Sequence, residues 1–512
     1  MSPSLHQWAF EQLKALKVPI IRLVTDSRSI QRGDTFVAYP GEKSDGRQFI
    51  APAIAQGANA VIYEKLLSGH PWEAQHFVWD AAWQVPNLAV ADLRHKAGWL
   101  ADAVYGTPSE KLWMVGITGT NGKTSTSHWI AHALNEAGQQ CALIGTLGNG
   151  FVGALQASAN TTPDAIRVHG LLADYLRDGA QAVAMEVSSH ALSQGRVNAV
   201  RFDVAMLTNL SRDHLDYHGD MQRYADTKRK LFDWQQLGFV VLNLDDAYGV
   251  ELAEQLQDAD AEVIGYGLSD AALQLAERLG LRMVYGSLLE MTGQGLRLAV
   301  HSSWGAAELN SALVGRFNAA NLMGALAVLL VSGMALSGAA HSLSRAQPVA
   351  GRMQRLGSVQ QPTVIVDYAH TPDALEKVLQ ALREVSVAAG GKVLCVFGCG
   401  GDRDRGKRAM MGMVAEKFSD FCIVTSDNPR GENPREIIAE IVSGMNEDNH
   451  EIIVDRAAAI QSAIRHARQS DTVLIAGKGH EDYQEINGVK HPFNDVLVVQ
   501  QALQTHHSEA RA

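Results

Sequence analysis

The chain has 512 residues, of which 46% are hydrophobic and 19% are charged, and its formal net charge is −11. This composition is typical of a globular protein and excludes a disordered or fibrous one, while the length predicts about three domains. The negative charge, with no long run of Lys or Arg, excludes a protein that binds the nucleic-acid backbone. The four cysteines have no paired spacing, which argues against a disulfide framework or a zinc site and predicts a reducing, cytoplasmic location.

Two segments bear on membranes. The N-terminal MSPSLHQWAFEQLKALKVP has the pattern of an amphipathic helix and lacks the apolar core of a signal peptide. Residues 317–340 carry no charge and are long enough to cross a bilayer. Asn318, Asn321, Ser332 and Ser337 interrupt this segment and no aromatic belt flanks it, so we predict a buried helix of a soluble protein without stable membrane insertion.

Short apolar runs recur along the chain, each followed by a small or polar turn and a helical pattern. They include LWMVGITG, QAVAMEVSSH, FDVAMLTNLS, GFVVLNLDD, TVIVDYAH, KVLCVFGCG, FCIVTSDN and TVLIAGKGH. Runs that are apolar on both faces predict parallel strands covered by helices, which is an α/β fold. Turn residues near 105–108 and 347–348 predict three domains, at 1–105, 106–347 and 348–512.

The segment VGITGTNGKTSTSHWI predicts a phosphate-binding loop. An apolar strand leads into a Gly-rich turn and then into a helix, so that backbone N–H groups and the helix dipole would face an anion. Lys123 would add a positive charge and Thr124 could bind magnesium, although Ile117 stands where the usual spacing has its first glycine. We expect ATP or GTP as the ligand. The predicted contacts are Gly119, Thr120, Asn121, Gly122, Lys123, Thr124 and Ser125.

The GTNGKT loop resembles that of the Mur ligase family and of its relative folylpolyglutamate synthase, which join an amino acid to a carboxylate through an acyl phosphate. MEVSSH, TNLSRDHLDYHG, GRFNAANLMGAL, GRMQ and DYAHTPDAL resemble further blocks of the family in its order. The N-terminal TDSRSIQRGDTFVAYPG and DGRQFI resemble the uridine-nucleotide domain of one branch. The resemblance implies three domains: a central, mostly parallel P-loop-type sheet with helices on both faces, a Rossmann-like C-terminal α/β domain and a smaller N-terminal α/β domain.

That branch adds meso-2,6-diaminopimelate to the D-glutamyl γ-carboxylate of UDP-N-acetylmuramoyl-L-alanyl-D-glutamate in peptidoglycan precursor synthesis. Such a reaction brings two anions together, so the site needs a divalent metal and fixed cations. The predicted catalytic residues are Lys123, Glu186, His214 and Lys228, and the predicted magnesium ligands are Thr124, Glu186, His214 and Lys228. The family implies that Lys228 is carbamylated, which would make it an anion.

Each of these residues also has a plain structural interpretation. Glu186 could be a helix cap or a surface acid, and His214 could be a hydrogen-bonded structural histidine. Lys228 lies in RYADTKRKLF, a pattern that by itself indicates a solvated basic helix face. The positions of Glu186 and His214 after separate strands, together with the phosphate loop, favour the functional interpretation of these two, whereas the ligand role of Lys228 is implied by the family resemblance alone.

The resemblance also implies how the substrates are bound. For ATP, Asn318 would face adenine, Arg352 the phosphates, and Asp367 with His370 the ribose and phosphate region; an N-cap is the alternative role for Asn318. Hydroxyl, amide and guanidinium groups would contact the UDP-muramoyl dipeptide. These residues are Ser27, Asn160, Thr161, Thr162, Ser188, Gln194 and Arg196.

The segment SDNPRGENPRE matches the diaminopimelate-adding branch in its DNPR motif. Diaminopimelate differs from lysine by a second carboxylate at the far end of its side chain. Asn428 could hydrogen-bond that end, Pro429 would fix the turn, and Arg430 would offer a bidentate fork to the carboxylate. A proline-containing surface turn is the structural alternative. The predicted diaminopimelate contacts are Arg403, Asp427, Asn428, Pro429, Arg430, Gly477 and Glu481, with Glu481 binding an ammonium group.

Three competing interpretations were compared with this one. A nicotinamide enzyme is disfavoured because Arg403 stands at the third glycine position of G-x-G-x-x-G. A folylpolyglutamate-synthase-like ligase would share the loop but not the N-terminal DSR segment or DNPR. A non-catalytic ATP-binding scaffold would not need Lys123, Glu186, His214 and Lys228 together. We further expect a monomer with small-molecule substrates and closure of the C-terminal domain on binding.

Overall fold

The computed structural model describes residues 4–42, 44–65, 77–358, 360–388 and 390–509. Helices alternate with mostly parallel strands, so the predicted α/β class is confirmed. The chain forms two compact units. The first comprises residues 1–118, 134–205 and 227–240, and the second comprises 119–133, 206–226 and 241–512.

The N-terminal part of the first unit is built around four parallel strands in the order β1-β2-β3-β4. The predicted amphipathic helix is confirmed as α1, and its N-cap Ser4 accepts a hydrogen bond from the Gln7 N–H at 3.2 Å. The elements are α1 Leu5–Ala15, β1 Leu23–Val24, β2 Thr35–Ala38, α2 Ile50–Ala55, β3 Ala60–Glu64, β4 Asn87–Val90 and α3 Leu93–Tyr105.

The remaining strands of the first unit place two functional segments at strand ends. The next elements in the chain are β5 Trp113–Thr118, α4 Lys123–Glu136, β6 Cys141–Gly145, β7 Gly148–Phe151, β8 Ala154–Gln156, α5 Ala165–Arg177, β9 Ala182–Glu186 and α6 Ser189–Ser193. Strand β9 pairs in parallel with β5 on one side and with β6 on the other, and β6-β7-β8 continue antiparallel. The phosphate loop therefore follows β5, and Glu186 ends β9.

The chain then continues with β10 Val204–Leu207, α7 Leu215–His218, α8 Met221–Arg229, β11 Phe239–Asn243, α9 Ala247–Gln255, β12 Glu262–Gly267, α10 Asp270–Leu279, β13 Arg282–Thr292, β14 Gly295–Ser302, β15 Gly305–Ser311, α11 Arg316–Val331 and α12 Leu336–Ser344. The prediction of a single buried helix over residues 317–340 is wrong in one respect, because this segment belongs to two helices. Gly333, with a φ of +89°, lies between them and favours the break. Helix α11 is buried along most of its length, as expected.

The C-terminal part of the second unit is a six-stranded sheet in the order β16-β17-β21-β18-β19-β20, parallel except for β16. One core holds residues of α13, α14 and α15, and another holds residues of α16 and α17, so helices cover both faces. The elements are β16 Gln354–Leu356, β17 Thr363–Asp367, α13 Pro372–Ala388, β18 Val393–Phe397, α14 Gly406–Phe418, β19 Phe421–Val424, α15 Pro434–Val442, β20 His450–Ile452, α16 Arg456–His466, β21 Thr472–Ala476, β22 Tyr483–Ile486, β23 Val489–Pro492 and α17 Asp495–Glu509.

All eight apolar runs identified in the sequence contain strands, namely β5, β9, β10, β11, β17, β18, β19 and β21. Each of them is largely or wholly buried, which is the property that the apolar pattern predicted. Among the described residues, no helix is both long enough and apolar enough to cross a membrane.

A fully buried ion pair joins the starts of α16 and α17. Arg456 donates through Nε and Nη2 to Asp495 at 2.8 and 2.7 Å, and neither side chain is exposed. We predict that Arg456→Met lowers the free energy of unfolding by about 3–5 kcal/mol, because it leaves the Asp495 carboxylate buried without its partner. Urea unfolding followed by circular dichroism would measure this loss. Arg465→Ala, an exposed position on the same helix, is the matched control, and an equal effect of both variants would contradict the prediction.

Candidate active site

The phosphate loop packs closely against the segment that follows β10. Gly119 has a φ of +142°, and a Cβ at this position would lie 1.9 Å from Thr208 Oγ1. The Thr120 N–H donates to the Asn209 carbonyl at 2.9 Å, and the Asn121 N–H donates to Asn209 Oδ1 at 3.0 Å. The loop is therefore tied to the segment after β10, and only glycine fits at position 119.

The two predicted phosphate-side residues stand at the start of α4, which begins at Lys123. The Lys123 ammonium donates to the carbonyls of Gly119 and Thr120 at 2.8 and 2.9 Å, so it lies over the loop. Thr124 Oγ1 accepts a hydrogen bond from Arg352 Nη2 at 3.3 Å. Two cations and a helix N-terminus thus meet at one place, which is the arrangement that an anionic phosphate requires.

A cavity of about 620 Å³ adjoins the loop within the second unit. This volume lies in the range typical of small-molecule sites. The Arg352 guanidinium stacks over the Tyr368 ring at 4.4 Å from its centroid, which orients it in the cavity wall. Six predicted ATP contacts line the cavity, namely Asn121, Gly122, Ser125, Asn318, Arg352 and Asp367. Sequence reasoning missed other polar lining residues, among them Asn209, Asp246, Asn321 and Lys377.

Three predicted nucleotide contacts have protein partners of their own. Asn318 is inside α11, whose N-cap is Gly315, and its Nδ2 donates to the Val314 carbonyl at 2.8 Å, so the N-cap alternative is wrong. Asp367 accepts the N–H groups of Met353 and Ala369 at 2.6 and 2.8 Å, and burial raises the pKa of its carboxyl group. His370 lies outside the cavity lining, with its Nε2 3.6 Å from Asp213.

Asp213 is a buried acid that the sequence analysis did not identify. His214 Nε2 lies 3.3 Å from its carboxylate and Lys407 Nζ lies 3.6 Å away. Although burial opposes ionisation, hydrogen bonding to His370 and the charges of His214 and Lys407 hold the pKa of Asp213 well below its usual range. The carboxylate therefore stays charged and orients two histidines, one of them the predicted ligand His214. No signal in the sequence placed Lys407 beside it.

Glu186 and Lys228 belong to the first unit, and both are buried. The Glu186 carboxylate accepts hydrogen bonds from the Thr146 N–H at 2.8 Å and from the Thr146 hydroxyl at 3.1 Å. It also packs closely against Gly145, where a Cβ would lie 2.3 Å from Glu186 Oε1. A surface acid or helix cap is therefore the wrong interpretation of Glu186. Lys228 is only 1% exposed, so the solvated basic face is also wrong for it.

Four of the predicted dipeptide contacts, namely Thr162, Ser188, Gln194 and Arg196, lie close together beyond the end of β9. The Thr162 hydroxyl donates to the Glu186 carbonyl at 2.7 Å and lies 3.3 Å from Ser188 Oγ. Arg196 donates to the Thr162 carbonyl at 2.8 Å and to Gln194 Oε1 at 2.9 Å. The chain thus presents hydroxyl groups beside a cation, as expected for an acyl substrate with a carboxylate.

The other members of this group are placed differently. Thr161 Oγ1 lies 3.1 Å from Thr146 Oγ1, Asn160 is exposed, and Ser27 is buried in a separate short 3₁₀ helix, Ser27–Ser29. Burial and the charge of Arg94 lower the pKa of Arg196. Sequence reasoning missed Arg94 because it lies on α3, far from the dipeptide motifs in the chain.

The DNPR loop follows β19 and has a constrained backbone. Arg430 has a φ of +49°, which is unusual for a residue with a side chain. Its N–H donates to the Glu485 carbonyl at 3.0 Å, and its own carbonyl accepts the Asn487 N–H at 2.7 Å, so the β22–β23 hairpin holds this conformation. The surface-turn alternative is wrong for most of the loop, because Asp427, Asn428 and Pro429 are buried.

The Arg430 guanidinium is fixed as well. Its Nη1 donates to the Gly401 carbonyl at 2.8 Å, and its Nε lies 3.2 Å from Glu485 Oε2. Two of the five N–H groups of an arginine are thus engaged, and three remain for a carboxylate ligand. Arg403, by contrast, is exposed and donates to its neighbour's carbonyl, that of Asp402, at 2.9 Å.

The predicted magnesium ligands have suitable donor chemistry. A threonine hydroxyl, a carboxylate and an imidazole are available from Thr124, Glu186 and His214. In the described part of the chain, no group of three or more His, Cys, Asp or Glu residues could hold a metal ion by itself. Magnesium is usually bound by one or two protein carboxylates together with substrate phosphates and water, so the Glu186 carboxylate and the Thr124 hydroxyl are each a donor of the kind that this metal takes.

Comparisons with known proteins support the resemblance along the whole chain. Residues 19–105 match the Mur ligase family catalytic domain, residues 117–329 the Mur ligase middle domain, and residues 351–479 the Mur ligase glutamate ligase domain. A UDP-N-acetylmuramoyl-L-alanyl-D-glutamate–2,6-diaminopimelate ligase from Chromobacterium violaceum is 50% identical, over 98% of this chain and 97% of its own.

Two solved structures show the same fold. A structure of a UDP-N-acetylmuramoyl-L-alanyl-D-glutamate–2,6-diaminopimelate ligase is 36% identical, with a TM-score of 0.64 and 96% coverage of both chains. A MurF ligase from Thermotoga maritima in complex with ADP is 17% identical, with a TM-score of 0.61 and coverage of 97% of this chain and 99% of that one. The chain belongs to the Mur ligase family. The three-domain order is confirmed by the matches, while the boundaries at 105/106 and 347/348 stay predictions.

The packing of Gly119 generates a prediction about nucleotide binding. We expect Gly119→Ala to weaken ADP binding at least about 30-fold, or about 2 kcal/mol, because the methyl group would push the loop away from Thr208. Isothermal titration calorimetry would measure the change. Gly138→Ala is the matched control, since Gly138 also has a positive φ of +83° but a Cβ there meets nothing within 4 Å. Unchanged ADP affinity in Gly119→Ala would show that the loop tolerates the side chain.

Proposed function

We propose that the protein is an ATP-dependent ligase that adds meso-2,6-diaminopimelate to the D-glutamyl γ-carboxylate of UDP-N-acetylmuramoyl-L-alanyl-D-glutamate, as a step of peptidoglycan precursor synthesis. The observation that carries this proposal is the DNPR loop, which holds the Arg430 guanidinium with three donors left for a carboxylate. The full-length similarity to enzymes that carry this name supports the same substrate. Lysine lacks the carboxylate that such a guanidinium would bind.

ATP would occupy the cavity beside the phosphate loop. Asn318 and the other lining residues would contact the nucleoside, while Lys123, Arg352 and the N–H groups at the start of α4 would hold the phosphates. Thr124, Glu186, His214 and a carbamylated Lys228 would hold magnesium, which when bound offsets the repulsion between the phosphates and the substrate carboxylate.

The reaction would proceed in two steps. The γ-carboxylate of the D-glutamyl residue attacks the γ-phosphorus of ATP, and ADP leaves, giving an acyl phosphate. An amine of diaminopimelate then attacks the acyl carbon, and the tetrahedral intermediate expels phosphate while the nitrogen loses a proton. Thr161, Thr162, Ser188 and Arg196 would position the dipeptide, and Ser27 would contact the uridine part. Lys123 and Arg352 would stabilise the charge that develops on the transferred phosphoryl group.

Two other functions were considered. A folylpolyglutamate-synthase-like ligase would share the nucleotide site, but the match of residues 19–105 to the Mur ligase family and the DNPR loop favour the peptidoglycan substrate. A scaffold that binds ATP without turnover would have no need for a buried Glu186 fixed by two hydrogen bonds. The assay described next separates the three possibilities.

We expect ATP-dependent phosphate release with UDP-N-acetylmuramoyl-L-alanyl-D-glutamate, magnesium and meso-diaminopimelate together, and very little when L-lysine replaces diaminopimelate. The physical reason is that a site built to bind a carboxylate rejects an analogue without it, by up to about 10⁴-fold. A colorimetric phosphate assay, with each substrate omitted in turn, would measure it. Equal release with lysine would keep the ligase but remove the selectivity. Release with neither amino acid would favour the folate or scaffold alternatives.

Arg430 gives a second prediction for the same reaction. We expect Arg430→Gln to lower kcat/KM for meso-diaminopimelate by about 10²-fold or more, mainly through KM, while ATP affinity changes little. Steady-state phosphate release at varied diaminopimelate would measure both constants. Arg435→Ala, an exposed arginine in the same segment, is the matched control and should behave as the unmodified protein. The role of Arg430 is contradicted if its replacement affects kcat/KM no more than the control does.

A further inference from the structure

Lys478 brings a charged group into the interior of the second unit. It follows β21, and its side chain has no exposed surface. An unpaired ammonium group in such a place would cost several kcal/mol, so a buried lysine persists only where its partners stabilise it. The positions of those partners indicate what Lys478 does.

The Lys478 ammonium group bonds to two side chains from the predicted amino-acid site. Its Nζ donates to Asn428 Oδ1 at 3.0 Å and to Glu481 Oε2 at 2.8 Å. Asn428 Nδ2 donates to the same Glu481 oxygen at 2.8 Å. The three side chains therefore form a closed triangle in which each one fixes the other two.

The triangle also fixes which way the Asn428 amide points. Its Oδ1 accepts a second hydrogen bond, from the Glu485 N–H at 2.9 Å, and this bond ties the triangle to the β22–β23 hairpin. Both acceptor positions of the oxygen are thus filled by protein donors. Asn428 was expected to hydrogen-bond the far end of diaminopimelate, but its oxygen is already engaged and only one Nδ2 hydrogen is left for a ligand.

Glu481 keeps one oxygen for a ligand. Its Oε2 takes the bonds from Lys478 and Asn428, whereas its Oε1 has no hydrogen bond to another described residue. The Glu481 side chain is 15% exposed, so a small molecule can reach it. Lys478 thus fixes the carboxylate through Oε2, while Oε1 is accessible to a ligand.

We propose that Lys478 is a positioning residue for the amino-acid substrate, which holds the Glu481 carboxylate oriented toward a substrate ammonium group. This inference rests on the proposed function for the identity of the amino acid. Without the Lys478 ammonium group, Glu481 Oε2 would lose one of the two donors that fix the direction of its carboxylate. Lys478 would thus act on affinity for diaminopimelate and leave the nucleotide site unchanged.

The test is meso-diaminopimelate binding to the ADP-loaded protein, measured by calorimetry, together with KM and kcat from phosphate release. Lys478→Met is expected to weaken diaminopimelate binding and raise its KM by about 30-fold or more, with kcat and the KM for ATP within about threefold. Lys478→Arg, which keeps the positive charge, should restore part of the affinity. Lys490→Met is the matched control. The Nζ atoms of both lysines lie over the Tyr483 ring, 3.9 Å from its centroid for Lys490 and 5.5 Å for Lys478, but Lys490 is exposed.

A double-variant cycle shows whether the effect passes through Glu481. In a Glu481→Gln background, Lys478→Met should change diaminopimelate binding less than about threefold, since the carboxylate that it acts on is gone. An undiminished effect in that background, or unchanged binding in the single variant, would overturn the proposal. If Lys478→Met gives no cooperative thermal transition, Lys478→Gln takes its place with the same thresholds, because its amide can still donate to Asn428.

The two proposals can fail separately. If the unmodified protein binds diaminopimelate but releases no phosphate, the proposed ligase function fails, and the binding measurements still decide the role of Lys478. If it releases phosphate with diaminopimelate while Lys478→Met binds the amino acid normally, the ligase stands and the role of Lys478 is wrong.

Discussion

The close approach of the Gly119 backbone to Thr208 is the constraint on which the nucleotide site depends. Phosphate binding at a helix start needs backbone N–H groups without side chains in front of them. A Cβ at position 119 would lie only 1.9 Å from Thr208 Oγ1, so there is no room for a side chain there. The same loop also anchors residues far along the chain, because Asn121 Nδ2 donates to Asp373 at 3.1 Å and Thr124 accepts from Arg352. The start of α13 and the segment before β16 are thereby attached to the phosphate loop within one compact unit.

The sequence predicted the strands well because burial on both faces leaves a direct signature, an unbroken apolar run such as TVLIA in β21. It did not predict where α11 ends, because residues 317–340 carry no charge and contain several glycines and serines, of which only Gly333 lies at the break between the two helices. The antiparallel strands β13 to β15 were also missed. Strand β14 alternates clearly, with Leu296, Leu298 and Val300 buried, but the burial patterns of β13 and β15 are irregular, and pairing over long hairpins is a tertiary property.

The candidate site was predictable where a motif holds adjacent residues, as in GTNGKT and DNPR, since a local backbone shape dictates the residue types. It was not predictable where the partners are distant in the chain. Lys407 beside Asp213, Arg94 near Arg196 and Lys478 against Asn428 are charged residues that a sequence pattern would assign to the surface. Only the folded structure shows that Lys407 and Lys478 are buried beside these partners, and that Arg94 lies near the like charge of Arg196.

Under the proposed function, selectivity for an amino acid with two charged ends would follow from this pairing rather than from the number of contacts. Arg430 is held by Gly401 and Glu485, and Glu481 by Lys478 and Asn428, so both ligand-facing charges are oriented before any ligand arrives. When a ligand matches both charges, little side-chain entropy is lost on binding, because the protein side chains are already fixed. A ligand that lacks one charge leaves the corresponding protein group desolvated without a partner. In the proposed diaminopimelate site, charges fixed in advance would thus make binding tight for one substrate and poor for its closest analogue.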